Sequence, residues 1–241
     1  MISLHADHVI SPAVAFRELM QRTAKASIAH GRLFTVGAVP TRPETGYGYI
    51  CAGEQLEAGM FVVDEFVEKP DPATAERYMA EGYLWNTGLF VWPVSLFLDQ
   101  LREHTPEIAE HLPLLEAGAV AEYFARVPVT TIDEGLMERS GRVAVARATF
   151  EWDDVGTWDA VSRTRETDGA GNVVVGDAHV VDSTDCITWA EEGTIVVYGA
   201  ADLIVVRTRD ITLVAPRERA PQLKKLLEQL PDRLVEPDGA S

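Results

Sequence analysis

Four short clusters hold the residue types that could bind a small polyhydroxylated anion. Glu68-Lys69-Pro70 sets a carboxylate beside an ammonium. Fifteen residues after Pro70 comes Trp85-Asn86-Thr87-Gly88, which brings a carboxamide and a glycine. Thr45-Gly46-Tyr47-Gly48-Tyr49 lies upstream and Trp152-Asp153-Asp154-Val155-Gly156-Thr157-Trp158 downstream, each joining glycines to aromatic residues. Glu68 can accept from sugar hydroxyls, Lys69 can set its charge on a phosphate, and Asn86 can donate and accept at once, as vicinal hydroxyls require. Gly48 and Gly88 let a backbone approach a ligand closely, although a β-bulge or an ordinary turn explains them equally well. Successive strand residues face opposite ways, so Glu68 and Lys69 are not expected to pair with each other.

Asp7 and Asp154 form a candidate metal pair, since two carboxylates from distant parts of a chain suit Mg²⁺. The bland alternatives are an Asp capping the helix after Ser11 and a turn Asp before Gly156. His5 and His8 are read as supporting or incidental, because transfer to an ionised phosphate needs no general base. Trp85, Trp152 and Trp158 are expected to pack rather than to stack on a base. No GxSxG, Cys/His pair or HExxH occurs, which removes the common hydrolase readings.

The elements that must position these groups alternate. Ser11 reads as an N-cap, followed by a helix to Gly31. Strands are predicted near residues 33–39, 47–52 and 60–69, and a helix starts at Pro70-Asp71-Pro72 and stops at Gly82. A strand at 89–92 follows, then a mainly helical stretch over 106–140 and a strand at 142–147. This places Glu68 and Asn86 at the ends of apolar runs, in a mostly parallel sheet covered on both faces. Beyond Asp168 short β-rich runs alternate with Gly, Asp and Asn turns, without a repeat period that would mark a solenoid. The predicted division is 1–168 and 169–241, closed by a helix carrying Leu223, Leu226, Leu227 and Leu230, with a disordered tail from Glu236.

The 241 residues suffice for one large domain and a small appendage, and 46% hydrophobic with 24% charged residues is a globular composition. No apolar run is long enough to span a bilayer and none resembles a secretory signal, so the expected location is the cytoplasm. A net charge of −17 argues against nucleic acid as a partner. Cys51 and Cys186 lack metal-ligand spacing and read as buried thiols. Lysine occurs only at 25, 69, 224 and 225, which raises the weight of Lys69.

With these residues in this order, the chain resembles the sugar nucleotidyltransferases, in their mannose-1-phosphate guanylyltransferase branch. The resemblance covers nearly the whole chain: Ala6-Asp7-His8, the loop from Pro40 to Tyr49, Phe66 to Pro70, Trp85 to Gly88, Ile132-Asp133, Met137-Glu138, Trp152 to Trp158, and Gly171-Asn172 with its β-rich sequel. It implies a doubly wound, Rossmann-like α/β domain with a small β-rich C-terminal arm. It implies transfer of GMP from GTP to mannose 1-phosphate, giving GDP-mannose and pyrophosphate. Asp7, Lys69 and Asp154 would be the catalytic residues, with Asp7 and Asp154 holding Mg²⁺. Gly48, Glu68 and Asn86 would contact the sugar, Lys69 its phosphate, and Gly88 would lie beside them.

The family's first strand leads into a G-G-x-G-x-R-x-x-P loop that binds the triphosphate, and no such segment stands among these residues. The chain matches the family from roughly a hundred residues in, after the first βαβ units. The expectation is an incomplete domain, inactive alone, that works with a separate N-terminal segment. The alternatives are a non-catalytic sugar-phosphate-binding regulatory subunit that assembles with a complete homologue, and a nucleotidyltransferase for another sugar 1-phosphate. A homodimer is a further expectation.

Overall fold

The computed structural model describes residues 1–231 and 234. The chain divides into two compact units, Met1–Trp152 and Asp153–Ser241. The expected disordered tail from Glu236 lies outside the described residues.

In the first unit, β1 (Ile2–Ser3) and β2 (Val9–Ser11) precede the long helix α1 (Ala13–His30). α1 ends as the sequence predicts, on Gly31 in the left-handed conformation. Its N-terminus differs. Ser11 is the extended last residue of β2, so the cap position falls on Pro12 and no side chain caps the helix. That excludes the capping role for Asp7.

There follow β3 (Leu33–Ala38), β4 (Tyr49–Glu57), β5 (Met60–Val67), α2 (Pro72–Glu81) and β6 (Leu84–Val91). Asp71 caps α2 by accepting from the Thr74 amide, and Gly82 ends it. Next come α3 (Val94–His104), α4 (Pro106–Ala109), α5 (Leu112–Glu116), α6 (Val120–Arg126), one π-helical turn at Asp133–Met137, and β7 (Val143–Arg147). The stretch expected to be mainly helical is thus several short helices. Pro106 and Pro113 each restart the chain, and Gly118 adopts a positive φ.

Six of these strands, all but β2, form one sheet in the order β1-β6-β3-β7-β5-β4, with β4 also touching β6. The α/β class holds, but the sheet is not mostly parallel. Only β3 and β7 run parallel, while the pairings β1–β6, β3–β6, β4–β5, β4–β6 and β5–β7 are antiparallel. The reason is local: two residues, Ala58-Gly59, join β4 to β5, and so short a connection can only reverse the chain. β3 is buried along its whole length and its residues alternate between two cores. Phe34 and Val36 pack with Leu19 and Met20 of α1, and Leu33 packs with Leu136 and Met137 of the π-helical turn.

β8 (Glu151–Asp153) carries the chain from one unit to the other. The second unit holds α7 (Trp158–Thr164), β9 (Val173–Val175), β10 (Ala178–Val181), β11 (Ile187–Ala190), β12 (Ile195–Tyr198), β13 (Leu203–Arg207), β14 (Thr212–Pro216), a 3₁₀ turn at Arg217–Gln222, and α8 (Leu223–Leu227). β9, β11 and β13 stack in parallel, as do β10 and β12, with β14 antiparallel on β13. The arm is therefore a short solenoid, which the sequence did not announce. Ile187 pairs with Val173 fourteen residues before it and with Ile204 seventeen after it, so no single period repeats. Val161 of α7 joins the arm core with Val173, Ile187 and Ile204, and Trp158 meets Trp189 edge-on at 5.8 Å.

Candidate functional site

β6 runs from Leu84 to Val91, further back than expected, so Asn86 lies inside the strand and not at its end. The Asn86 amide donates to the Gly48 carbonyl (2.8 Å), and the Lys69 amide to the Tyr47 carbonyl (3.2 Å). These bonds bring Gly48, Glu68, Lys69 and Asn86 to one place.

A β-carbon added to Gly48 would stand 2.5 Å from Glu68 Oε2 and 3.2 Å from Asn86 Cβ. Glycine here is a clearance requirement, since a side chain fits between the two groups only if one of them moves. Gly48→Ala is expected to fold, because the flexible end of Glu68 can move aside, and to weaken ligand binding about tenfold by displacing that carboxylate. A thermal melt beside a sugar-phosphate titration checks both parts. Gly88 needs glycine for a second reason: its φ is +68°, and the His5 ring lies over its Cα, 2.5 Å from where a β-carbon would stand.

The Glu68 side chain is only 10% exposed. Its Oε1 accepts from Lys69 Nζ at 2.8 Å, while its Oε2 is buried without a hydrogen-bond partner. The adjacent pair therefore does form, against the alternation argument. Lys69 lies just past the end of β5 with a left-handed φ of +48°, so strand geometry no longer sends the two side chains to opposite faces. A non-glycine residue held in this region is costly, and such strain gathers at functional sites. The Lys69 ammonium remains 58% exposed and so reachable by a ligand. Burial pushes the Glu68 carboxyl above its usual range, against the hydrogen bond from Lys69, and Asp133 and Glu138 push it the same way.

In the sequence those last two residues stand out only through the family resemblance. Asp133 Oδ1 accepts from Asn86 Nδ2 at 2.8 Å, and Glu138 Oε1 accepts from the Glu68 amide at 2.9 Å. Asn86 Oδ1 in turn accepts from Thr35 Oγ1 (2.8 Å) and the Gly88 amide (3.3 Å). Asn86 is thus not the two-way group the sequence suggests. Both acceptor positions are taken within the protein, which leaves the second Nδ2 hydrogen for a ligand. The signal that could have pointed to Asp133 is a carboxylate directly after Ile132, in a turn whose Ile132 and Leu136 face the core.

Asp7 is exposed in the bend after β1. Its carboxylate and the ring nitrogens of His5 and His8 offer ligand atoms that all lie within 4.8 Å of one another. His5 stacks on His8 with ring centroids 4.3 Å apart, and His8 Nδ1 accepts from Trp152 Nε1 at 3.0 Å. In the other unit, Asp154 Oδ1 accepts from the Gly156 amide at 3.3 Å, the turn role its bland reading foresaw. Its neighbour Val155 has a φ of +49°, and Arg163 grips Asp153 through two nitrogens at 2.7 and 3.2 Å. Trp85 and Trp152 pack as expected: Tyr47 meets both edge-on at 5.2 Å, and the Arg42 guanidinium lies over Trp85 at 5.0 Å. Cys51 and Cys186 are both free thiols, the first half-buried and the second fully buried.

A model of the nucleotidyl transferase family matches residues 1–170, well over half of the chain. The chain belongs to that family. A second model, described as a mannose-phosphate isomerase/GMP-like beta-helix domain, matches residues 171–230, the span of the solenoid arm. Among curated relatives, mannose-1-phosphate guanylyltransferase of Escherichia coli K12 is 36% identical over 245 residues, covering 95% of this chain and 51% of its own length. The enzyme of the same name from Klebsiella pneumoniae is 35% identical over 243 residues, with the same coverage. The crystal structure of a mannose-1-phosphate geranyltransferase from Thermus thermophilus superposes with a TM-score of 0.88 at 35% identity, covering 95% of this chain and 68% of that one. The chain thus spans about half the length of the curated relatives it matches. Among the described residues no helix is long and apolar enough to cross a membrane.

Proposed function

We propose that this chain supplies the sugar-phosphate side of a mannose-1-phosphate guanylyltransferase: transfer of GMP from GTP to mannose 1-phosphate, releasing pyrophosphate. The observation that carries this reading is Glu68 Oε2, buried and unpartnered beside an exposed ammonium and the carboxamide N–H. A buried carboxylate oxygen without a donor is costly, and a sugar hydroxyl would satisfy it. Asn86 Nδ2 then donates to a neighbouring hydroxyl, Lys69 pairs with the phosphate, and Gly48 and Gly88 give the ring room.

The ionised phosphate oxygen attacks the α-phosphorus of GTP. A new P–O bond forms as the bond to the bridging α–β oxygen breaks, and pyrophosphate carries away the electron pair. No proton has to move, so the chain's task is to hold the nucleophile and offset its charge. Nucleotidyl transferases use a divalent metal, and we assign Mg²⁺ to this one, held by Asp7 and Asp154. Asp7 offers the carboxylate oxygen that suits Mg²⁺; the His5 and His8 nitrogens beside it suit Mg²⁺ less, and Trp152 already occupies His8 Nδ1. Bound Mg²⁺ would offset the charge of the phosphates. We place the reaction in the cytoplasm, and the partners proposed are mannose 1-phosphate and GTP, with a homodimer, a complete homologue or a separate N-terminal segment as protein partners. The division proposed from sequence, 1–168 and 169–241, separates nucleotidyltransferase portion from arm.

The test is GDP-mannose formation from GTP, mannose 1-phosphate and Mg²⁺ by this chain, alone and mixed with the N-terminal segment of the Escherichia coli relative. Product in either arm that is lost with Lys69→Ala supports the reading. No product in both arms, with folded protein that takes no mannose 1-phosphate, contradicts it.

A further inference from the structure

The two side chains at the ends of the π-helical turn serve two different walls of the pocket. Asp133 opens the turn and holds the carboxamide of Asn86; Glu138 follows it and holds the backbone amide of Glu68. The turn itself is closed by the Glu138 amide donating to the Asp133 carbonyl at 2.9 Å, the i to i+5 bond that defines it. An α-helical turn would shift one of the two carboxylates by about 100° around the axis relative to the other. Leu136 and Met137, at 0% and 1% exposure, fix the turn in the core.

The bonds around Asn86 leave one orientation. The Gly88 amide can only donate and the Asp133 carboxylate accepts, so Oδ1 faces Gly88 and Nδ2 faces Asp133; a flipped amide would set donor against donor. We infer that Asp133 is a positioning residue that sets substrate specificity: by locking Asn86 with one N–H turned to the ligand, it selects a sugar phosphate whose hydroxyl accepts there while a neighbouring hydroxyl donates to Glu68. The inference rests on the proposed pocket. It goes further in fixing the polarity of recognition, an acceptor hydroxyl at Asn86 and a donor hydroxyl at Glu68.

The experiment is a calorimetric titration of the full chain with mannose 1-phosphate and with its 2-, 3-, 4- and 6-deoxy analogues. Asp133→Ala is expected to weaken mannose 1-phosphate about tenfold, while the analogue lacking the hydroxyl served by Asn86 binds wild type and variant alike. Asp133→Asn keeps an acceptor for Nδ2 and is expected to restore the wild-type pattern. An even loss across the panel, or none, in folded Asp133→Ala overturns the inference while leaving the pocket standing. A wild-type chain that takes no mannose 1-phosphate overturns both. Thr35→Val, which removes the donor at the other end of the carboxamide, gives the same selective loss in smaller measure, and decides the matter where Asp133→Ala does not fold.

Discussion

Glu68→Gln is expected to be more stable than the wild type at pH 8 and to bind mannose 1-phosphate ten- to a hundredfold more weakly. Both effects have one cause. Burial disfavours the ionised form of the Glu68 carboxyl, and one of its oxygens lacks any donor. Its pKa in the folded chain therefore lies above the usual 4.5. A raised carboxyl pKa means that the folded state holds the proton more tightly than the unfolded state. Its contribution to stability is present below the unfolded value and is lost as pH climbs through the folded one. Gln does not titrate, so its advantage over Glu grows across that window and levels off above it. Denaturant melts of both proteins from pH 4 to 8 measure it: the two curves converge at the acid end. Binding falls because an uncharged amide replaces a charge-assisted acceptor. Curves that run parallel over the whole range would contradict this account of Glu68.

Asp154→Asn is expected to abolish Mg²⁺-dependent turnover in an enzyme completed with an N-terminal segment, a loss of at least about 10³-fold, without unfolding the chain. Asn keeps the oxygen that accepts from the Gly156 amide, so the turn survives and only the charge is removed. Asp7→Asn should behave alike, as Asp7 is exposed and caps no helix. Circular dichroism with rates at several Mg²⁺ concentrations separates folding from chemistry. Turnover of either variant at the wild-type rate would remove it from the metal assignment.

Much of this was legible in the sequence because particular residues leave few options. Gly31 and Gly82 stop helices where they stand, Asp71-Pro72 starts one, and the short apolar runs of β3 and β7 mark buried strands. Strand direction was not legible, because it depends on which strands meet and not on what each contains; the Ala58-Gly59 connection was the available hint. The arm's parallel stacking stayed hidden behind unequal rungs. At the site, residue type was enough to single out Gly48, Glu68, Lys69 and Asn86, which the fold brings together. What each can do was not, because that depends on partners far away in sequence. Asn86 loses its acceptor to Thr35, 51 residues earlier, and Glu68 is held by Glu138, 70 residues later. The Glu68–Lys69 pair escaped for a backbone reason, the left-handed φ at Lys69, which nothing in a Glu-Lys-Pro sequence requires.

The most direct test of the central claim is a calorimetric titration of this chain with mannose 1-phosphate, for the wild type, Lys69→Ala and Glu68→Gln in parallel. The pocket described predicts saturable one-to-one binding by the wild type, weakened at least tenfold by either substitution. A folded wild type that takes up no mannose 1-phosphate, or three proteins that bind it equally, would contradict the claim that Glu68 and Lys69 receive the sugar phosphate.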